Sequence, residues 1–144
     1  MPAVFFHSHR VRDDEIDVLG HANNLAYLEW MQTAALAHSA AQGWPAQRYQ
    51  TLGAGWVVRS HTIKYVRSAL AGDEIVIRTW VADMKRFSST REYRIERSTD
   101  GVLLAKAATQ WAFVDLATGA LARIPQLVAS SFEVVGQSTD EDER

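Results

Sequence analysis

An α+β fold, with a curved antiparallel sheet accompanying one long helix, is what the apolar patterning of this chain predicts. One early segment carries apolar residues at three- and four-residue steps, whereas nearly everything after it alternates with period two. The turn signals Thr99-Asp100-Gly101 and Asp115-Leu116-Ala117-Thr118-Gly119 separate alternating runs of similar length, as consecutive antiparallel strands require. The helix is the one apolar object around which such strands can curl.

Taken in order, Val4 to Arg12 alternates apolar and polar residues and reads as a first strand, followed by the polar turn Asp13-Asp14-Glu15. From about Asn24 to Gln42, residues Leu25, Leu28, Met31, Ala35 and Leu36 recur at helical spacing. Asn23 or Asn24 supplies the N-cap oxygen, Gly43 suits the position past the C-terminus, and Pro45 forbids continuation. Alanines at 34, 35, 37, 40 and 41 slim one face, and the polar stripe is narrow, so the helix is expected to be buried on most sides. Trp56 to Val66, Glu74 to Asp83, Phe87 to Arg97 and Val102 to Val114 read as four further strands, and Ile124-Pro125 opens a short terminal helix. The acidic segment 137–144 is expected to be a disordered tail, leaving 1–136 as a single domain.

At 144 residues and 16.1 kDa the chain has the size of one domain that buries roughly 70% of its unfolded surface. The absence of cysteine excludes disulfides, a thiolate nucleophile and zinc–thiolate sites. A net charge of −2 gives no global attraction for nucleic acid, so any anion site must be a local cluster. No apolar run approaches the ~18 residues that span a membrane, and the N-terminus lacks a signal-peptide layout. A cytoplasmic enzyme is the expectation. Nothing corresponds to a P-loop, a dinucleotide fingerprint or a Gly-x-Ser-x-Gly elbow, and no cofactor is implied.

The most informative stretch is Asp17-Val18-Leu19-Gly20-His21-Ala22-Asn23-Asn24-Leu25-Ala26-Tyr27. It sets a carboxylate and a Gly-His turn beside the start of the helix, whose first N–H groups are unsatisfied and partially positive. A carboxylate next to such an oxyanion site is the minimum apparatus for hydrolysing an activated acyl group.

With Glu15 and Ile16 before it, this stretch resembles the signature Asp-x-Asp-x-x-Gly-His-x-Asn-Asn-x-x-Tyr of hotdog-fold acyl-CoA thioesterases of the 4-hydroxybenzoyl-CoA thioesterase-like family. The resemblance continues through Trp56-Val57-Val58-Arg59, Ile63-Lys64-Tyr65, Gly72-Asp73 and Ile124-Pro125, and so covers most of residues 5–130. Two positions depart: Glu15 replaces the first Asp, and Ser68 stands where a Pro is common.

The resemblance implies that Asp17 is the catalytic carboxylate, attacking a thioester carbonyl or orienting a water. The oxyanion donor would be the backbone N–H of Asn24, and Gly20 would turn with positive φ beside the substrate. His21 could polarise the carbonyl or assist the leaving thiol, although a turn histidine is more often only hydrogen-bonded. Asn23 could contact substrate or simply cap the helix, and Tyr27 could line the acyl pocket or pack in the core. Met84-Lys85-Arg86-Phe87-Ser88-Ser89 offers two cations, an aromatic ring and hydroxyls of the kind a coenzyme A phosphate needs, with Arg67 and Arg123 as further cations. Against this stands a solvated basic turn.

His7 and His9 read as an exposed strand face, with no third ligand at suitable spacing for a metal. His61 is placed to approach a site from a partner subunit. The implied substrate is an acyl-CoA or acyl-carrier-protein thioester, and the implied assembly is a homodimer or homotetramer with active sites between subunits. Two other classes fit the same fold: a module that binds acyl thioesters without cleaving them, and a dehydratase, for which His38 and Glu29 lie nine residues apart on the helix.

Overall fold

The computed structural model describes residues 3–136; the expected acidic tail lies outside the described residues. Strand β1 (Phe5–Arg10) and a single 3₁₀ turn (Asp13–Glu15) precede helix α1 (Asn24–Ala41) and a second helix, α2 (Ala46–Leu52). Strands β2 (Ala54–Tyr65), β3 (Glu74–Met84), β4 (Ser88–Arg97) and β5 (Leu103–Asp115) follow, then the short α3 (Gln126–Ala129).

The five strands form one antiparallel sheet in the order β1-β3-β4-β5-β2. The consecutive pairing read from the sequence therefore holds only for β3-β4-β5. Strand β1 joins β3, with Arg10 opposite Glu74, and β2 lies at the far edge against β5. The connection from β2 to β3 passes the end of the sheet near the start of α1, where the Ala22 N–H donates to the Ala69 carbonyl at 2.8 Å. Register shifts at Val58/Ser60, Val81/Asp83 and Ile95/Glu96 mark bulges, which bend and twist the strands that carry them.

Ile75, Ile77, Tyr93 and Ile95 face α1 and are buried, as period-two alternation requires; the neighbours Leu104 and Ala105 are both buried because the register shift opposite Ile95/Glu96 leaves Leu104 as an extra residue in β5. The opposite face carries ion pairs such as Arg78–Glu96 at 3.0 Å and Arg94–Glu96 at 2.9 Å. Helix α1 buries Ala26, Tyr27, Trp30, Met31, Ala34, Ala35 and His38, a stripe at three- and four-residue steps. The expectation of burial on most sides needs correction, because Leu25 and Leu36 are exposed. The sheet reaches only one side of the helix.

Helix α2 was not anticipated. Its signals are Pro45, whose fixed φ suits a helix start, and Gly53, which takes the left-handed conformation (φ 81°) that ends it. A second apolar cluster, built from Trp44, Tyr49, Phe113, Ile124, Val128 and Phe132, ties α2 and α3 to the sheet.

Candidate active site

The motif folds into a closed turn. Gly20 donates its N–H to the Asp17 carbonyl at 3.1 Å, and Asp17 donates its own to the His21 carbonyl at 2.8 Å. Gly20 has φ 83°, a conformation that an L side chain adopts only with strain. The Asp17 carboxylate is exposed; its Oδ1 accepts N–H bonds from Leu19 (2.9 Å) and His21 (3.2 Å). Its Oδ2 accepts no hydrogen bond from the described residues. The His21 side chain is exposed beside it.

Glu15 pins this turn from below. The residue is buried; its Oε1 accepts from the Arg12 N–H and binds His9 Nε2, both at 2.8 Å, while its Oε2 accepts from Trp30 Nε1 at 2.7 Å. Burial works to raise the Glu15 pKa, but the hydrogen bonds from Arg12, His9 and Trp30 and the charge of His9 outweigh it and hold the group below its ordinary value. The extra methylene relative to Asp lets the carboxylate reach from the turn to α1. His9 therefore lies on the inner side of β1, as does His7; Phe6, Ser8 and Arg10 are the exposed positions, correcting the reading of the two histidines.

Asn23 is the N-cap of α1, its Oδ1 accepting the Ala26 N–H at 2.8 Å. The N–H groups of Asn24 and Leu25 have no acceptor among the described residues, as the first turn of a helix dictates. Asp17, Gly20, His21, Asn23 and Asn24 are thus brought together at one end of the molecule, and Arg67 lies in the connection that passes this end. Tyr27 is 2% exposed, its hydroxyl accepting the Ala69 N–H at 3.2 Å and its ring packed on Trp30 and Tyr65. The structure places it in the core.

Lys85, Arg86 and Ser88 stand elsewhere. Lys85 and Arg86 lie in the β3–β4 turn and Ser88 opens β4, while β3 runs from Glu74, at the motif end, to Met84. Ten residue steps of about 3.3 Å put that turn roughly 33 Å from the end where Asp17 sits. Lys85 and Arg86 are exposed, and the Arg86 carbonyl accepts the Ile124 N–H at 2.9 Å.

A cavity of about 570 Å³ opens at this second end. It lies between the C-terminal half of α1, α2 and the inner face of the sheet, with Trp44, Tyr49, Trp56, Met84 and Phe132 among its lining. Ala35, Ala37 and Ala40 line the α1 side, and their small side chains leave the space. Sequence reading missed one group in it: Arg91, on β4, lines the cavity and is 6% exposed. Arg91 Nη1 donates to His38 Nδ1 at 2.9 Å and to Thr79 Oγ1 at 3.0 Å. Burial pushes the Arg91 pKa down, although an arginine in a protein keeps its proton. The His38 ring stacks on Phe5 at 5.2 Å. Glu29 is on the exposed side of α1, so the His38–Glu29 pair that a dehydratase needs is not assembled within the chain.

His61, on β2, binds Thr109 Oγ1 through Nδ1 at 2.8 Å, and burial lowers its pKa. Among the described residues no helix is long and apolar enough to cross a membrane.

Comparison with known proteins agrees with this architecture. A chloroplastic acyl-[acyl-carrier-protein] hydrolase of Cuphea viscosissima is 27% identical over 116 residues, covering 81% of this chain and 27% of that protein. The chain spans 18 to 27% of the length of the curated relatives it matches. Among solved structures, a 1,4-dihydroxy-2-naphthoyl-CoA thioesterase from Synechocystis superposes with a TM-score of 0.82 at 18% identity, covering 89% of this chain and 94% of that one. A 12:0-ACP thioesterase from Umbellularia californica gives 0.82 at 20% identity, covering 97% of this chain and 54% of the other. These likenesses show the fold, that of the hotdog thioesterases. The family model of the thioesterase-like superfamily matches residues 11–132, which takes in the motif turn, both larger helices and the whole of β2 to β5. The chain belongs to the thioesterase-like superfamily.

Proposed function

We propose that the protein hydrolyses an acyl thioester, of coenzyme A or acyl-carrier protein, with water to a carboxylic acid and a free thiol. The observation that carries this reading is the Asp17 carboxylate, held through Oδ1 by two turn N–H groups with Oδ2 open, beside the unsatisfied N–H groups of Asn24 and Leu25. The Asn24 N–H stabilises the oxyanion as the carbonyl becomes tetrahedral. Asp17 Oδ2 either takes a proton from the attacking water and passes it to the departing thiolate, or attacks the carbonyl itself to give an anhydride that water then hydrolyses, the thiolate taking its proton from that water. Gly20 keeps the turn open to the substrate, and His21, at its rim, faces the leaving sulfur.

The acyl chain enters the apolar cavity, and a second copy of the chain closes the site. In one chain Asp17 and the cavity stand at opposite ends of the sheet. Strand β2 is a sheet edge whose residues 57–62 are all exposed, and it carries Val57, Val58 and Tyr65 on its surface. An unpaired edge of that length favours pairing. It runs from Gly55 and Trp56, beside the cavity, to Tyr65, beside the motif. Two such edges paired antiparallel about a two-fold axis bring the Tyr65 end of one chain to the Ala54 end of the other. Asp17 of each copy then faces the cavity of its partner, with the Lys85–Arg86 turn of that partner near enough to hold phosphate. Around the central α1, this pairing completes the wrapped hotdog arrangement.

The test is thiol release from acyl-CoAs of graded length and aromaticity by the wild type and Asp17→Ala. A fall of at least about 100-fold in the variant, at unchanged fold and mass, supports the assignment. Equal rates would make Asp17 a turn residue only, and binding without release in the wild type would make the protein a binding module.

A further inference from the structure

We propose that Arg91 makes the cavity a receptor for a carboxylate carried on an apolar chain. The residue occupies an inward position of β4, where its sequence neighbours on that face, Ser89, Tyr93 and Ile95, are also buried. Among the described residues no carboxylate pairs with it; the ionisable oxygens nearest it are the Tyr93 and Tyr49 hydroxyls, which burial keeps neutral. A buried cation without a counter-ion is costly, and proteins rarely retain one without a use.

The geometry points to that use. Both hydrogens of Nη1 are spent, one on His38 Nδ1 and one on Thr79 Oγ1. Thr79 Oγ1 accepts because its own hydrogen goes to the Glu92 carbonyl at 3.0 Å. His38 in turn is clamped between Phe5 and Phe132. One edge of the guanidinium is thus anchored, leaving Nη2 and Nε without partners among the described residues. Those donors are the fork that grips a carboxylate through two parallel bonds. The walls around them are largely apolar and aromatic, so a chain, not a small hydrated anion, fills the remaining space.

Two sources share this chemistry: the far-end carboxylate of a dicarboxylic acyl thioester, and a free fatty acid held as product or inhibitor. The first rests on the acyl-pocket reading above; the second does not. Binding of decanoate and of decanol at pH 8 would be followed by the fluorescence of Trp44, Trp56 and Trp111, which line the cavity. The wild type should hold decanoate at least about tenfold tighter, Arg91→Met should lose that preference, and Arg91→Lys should keep part of it. Equal binding of acid and alcohol by the wild type would overturn the proposal whether or not the variants fold. Release of thiol from the half-CoA ester of decanedioic acid in preference to decanoyl-CoA identifies the first source. Acid binding without that preference identifies the second. Failure of thioester hydrolysis leaves the binding result intact, so the two readings fail separately.

Discussion

Glu15 shows how one side chain sets the geometry of its neighbours. It joins β1, the 3₁₀ turn and α1 through His9, Arg12 and Trp30, and its backbone carbonyl accepts the Asn23 N–H at 2.8 Å. Because its folded pKa lies below the ordinary 4.5, Glu15 contributes stability that is present above that value and is lost as pH falls through the folded pKa. Glu15→Gln should therefore lower stability at pH 7 by about 1–3 kcal/mol, the cost of weakening a buried charge-assisted network. The gap to wild type should narrow as the pH drops below 4.5, which urea unfolding across a pH series will measure. A constant gap would mean that packing, not charge, is what Glu15 supplies. The roles of Gly20 and Asn23 were legible in the sequence, because a positive-φ turn and a helix cap are local chemistry. The burial of Glu15 and Arg91 was not. A charge at an alternating strand position, or in a polar turn, looks the same whether it faces water or a cavity.

Among the elements, α1 and the five strands could be read to within two residues of their ends, since each has its own period. Helix α2 escaped because seven residues with only Tyr49 buried carry no measurable periodicity. It matters, since α2 covers the cavity that the alanines of α1 leave open. Strand β2 was legible as a strand but not as an edge: its partner β5 lies some forty residues on in sequence. If that edge joins two chains, Val57→Lys with Val58→Lys should convert a dimer to a monomer in sedimentation and abolish thiol release. The fold of the protomer should change by no more than about 0.5 kcal/mol, because both residues are exposed. A sedimentation mass unmoved by the two lysines would place the subunit contact elsewhere.

For the molecule as a whole, the strand order and the roughly 33 Å between the Asp17 end and the Lys85 turn decide how the parts can work. The sequence suggested one site containing both, and adjacency in a motif could not reveal that the sheet holds them apart. Only long-range pairing, β1 on β3 and β2 on β5, fixes that distance. The exposed Val18 and Leu19 at the tip of the motif turn, with Leu25 and Leu70 beside it, give the Asp17 end an apolar surface suited to meeting another chain. The most direct measurement is complementation between two inactive variants, Asp17→Ala and the cavity-filling Ala40→Trp, purified as a heterodimer through two different tags. If each site joins Asp17 of one chain to the cavity of the other, one of the two sites carries both lesions and the other carries neither, and thiol release should return to about half the wild-type rate. A heterodimer as inactive as its parents would contradict the account, placing carboxylate and cavity of each working site in a single chain.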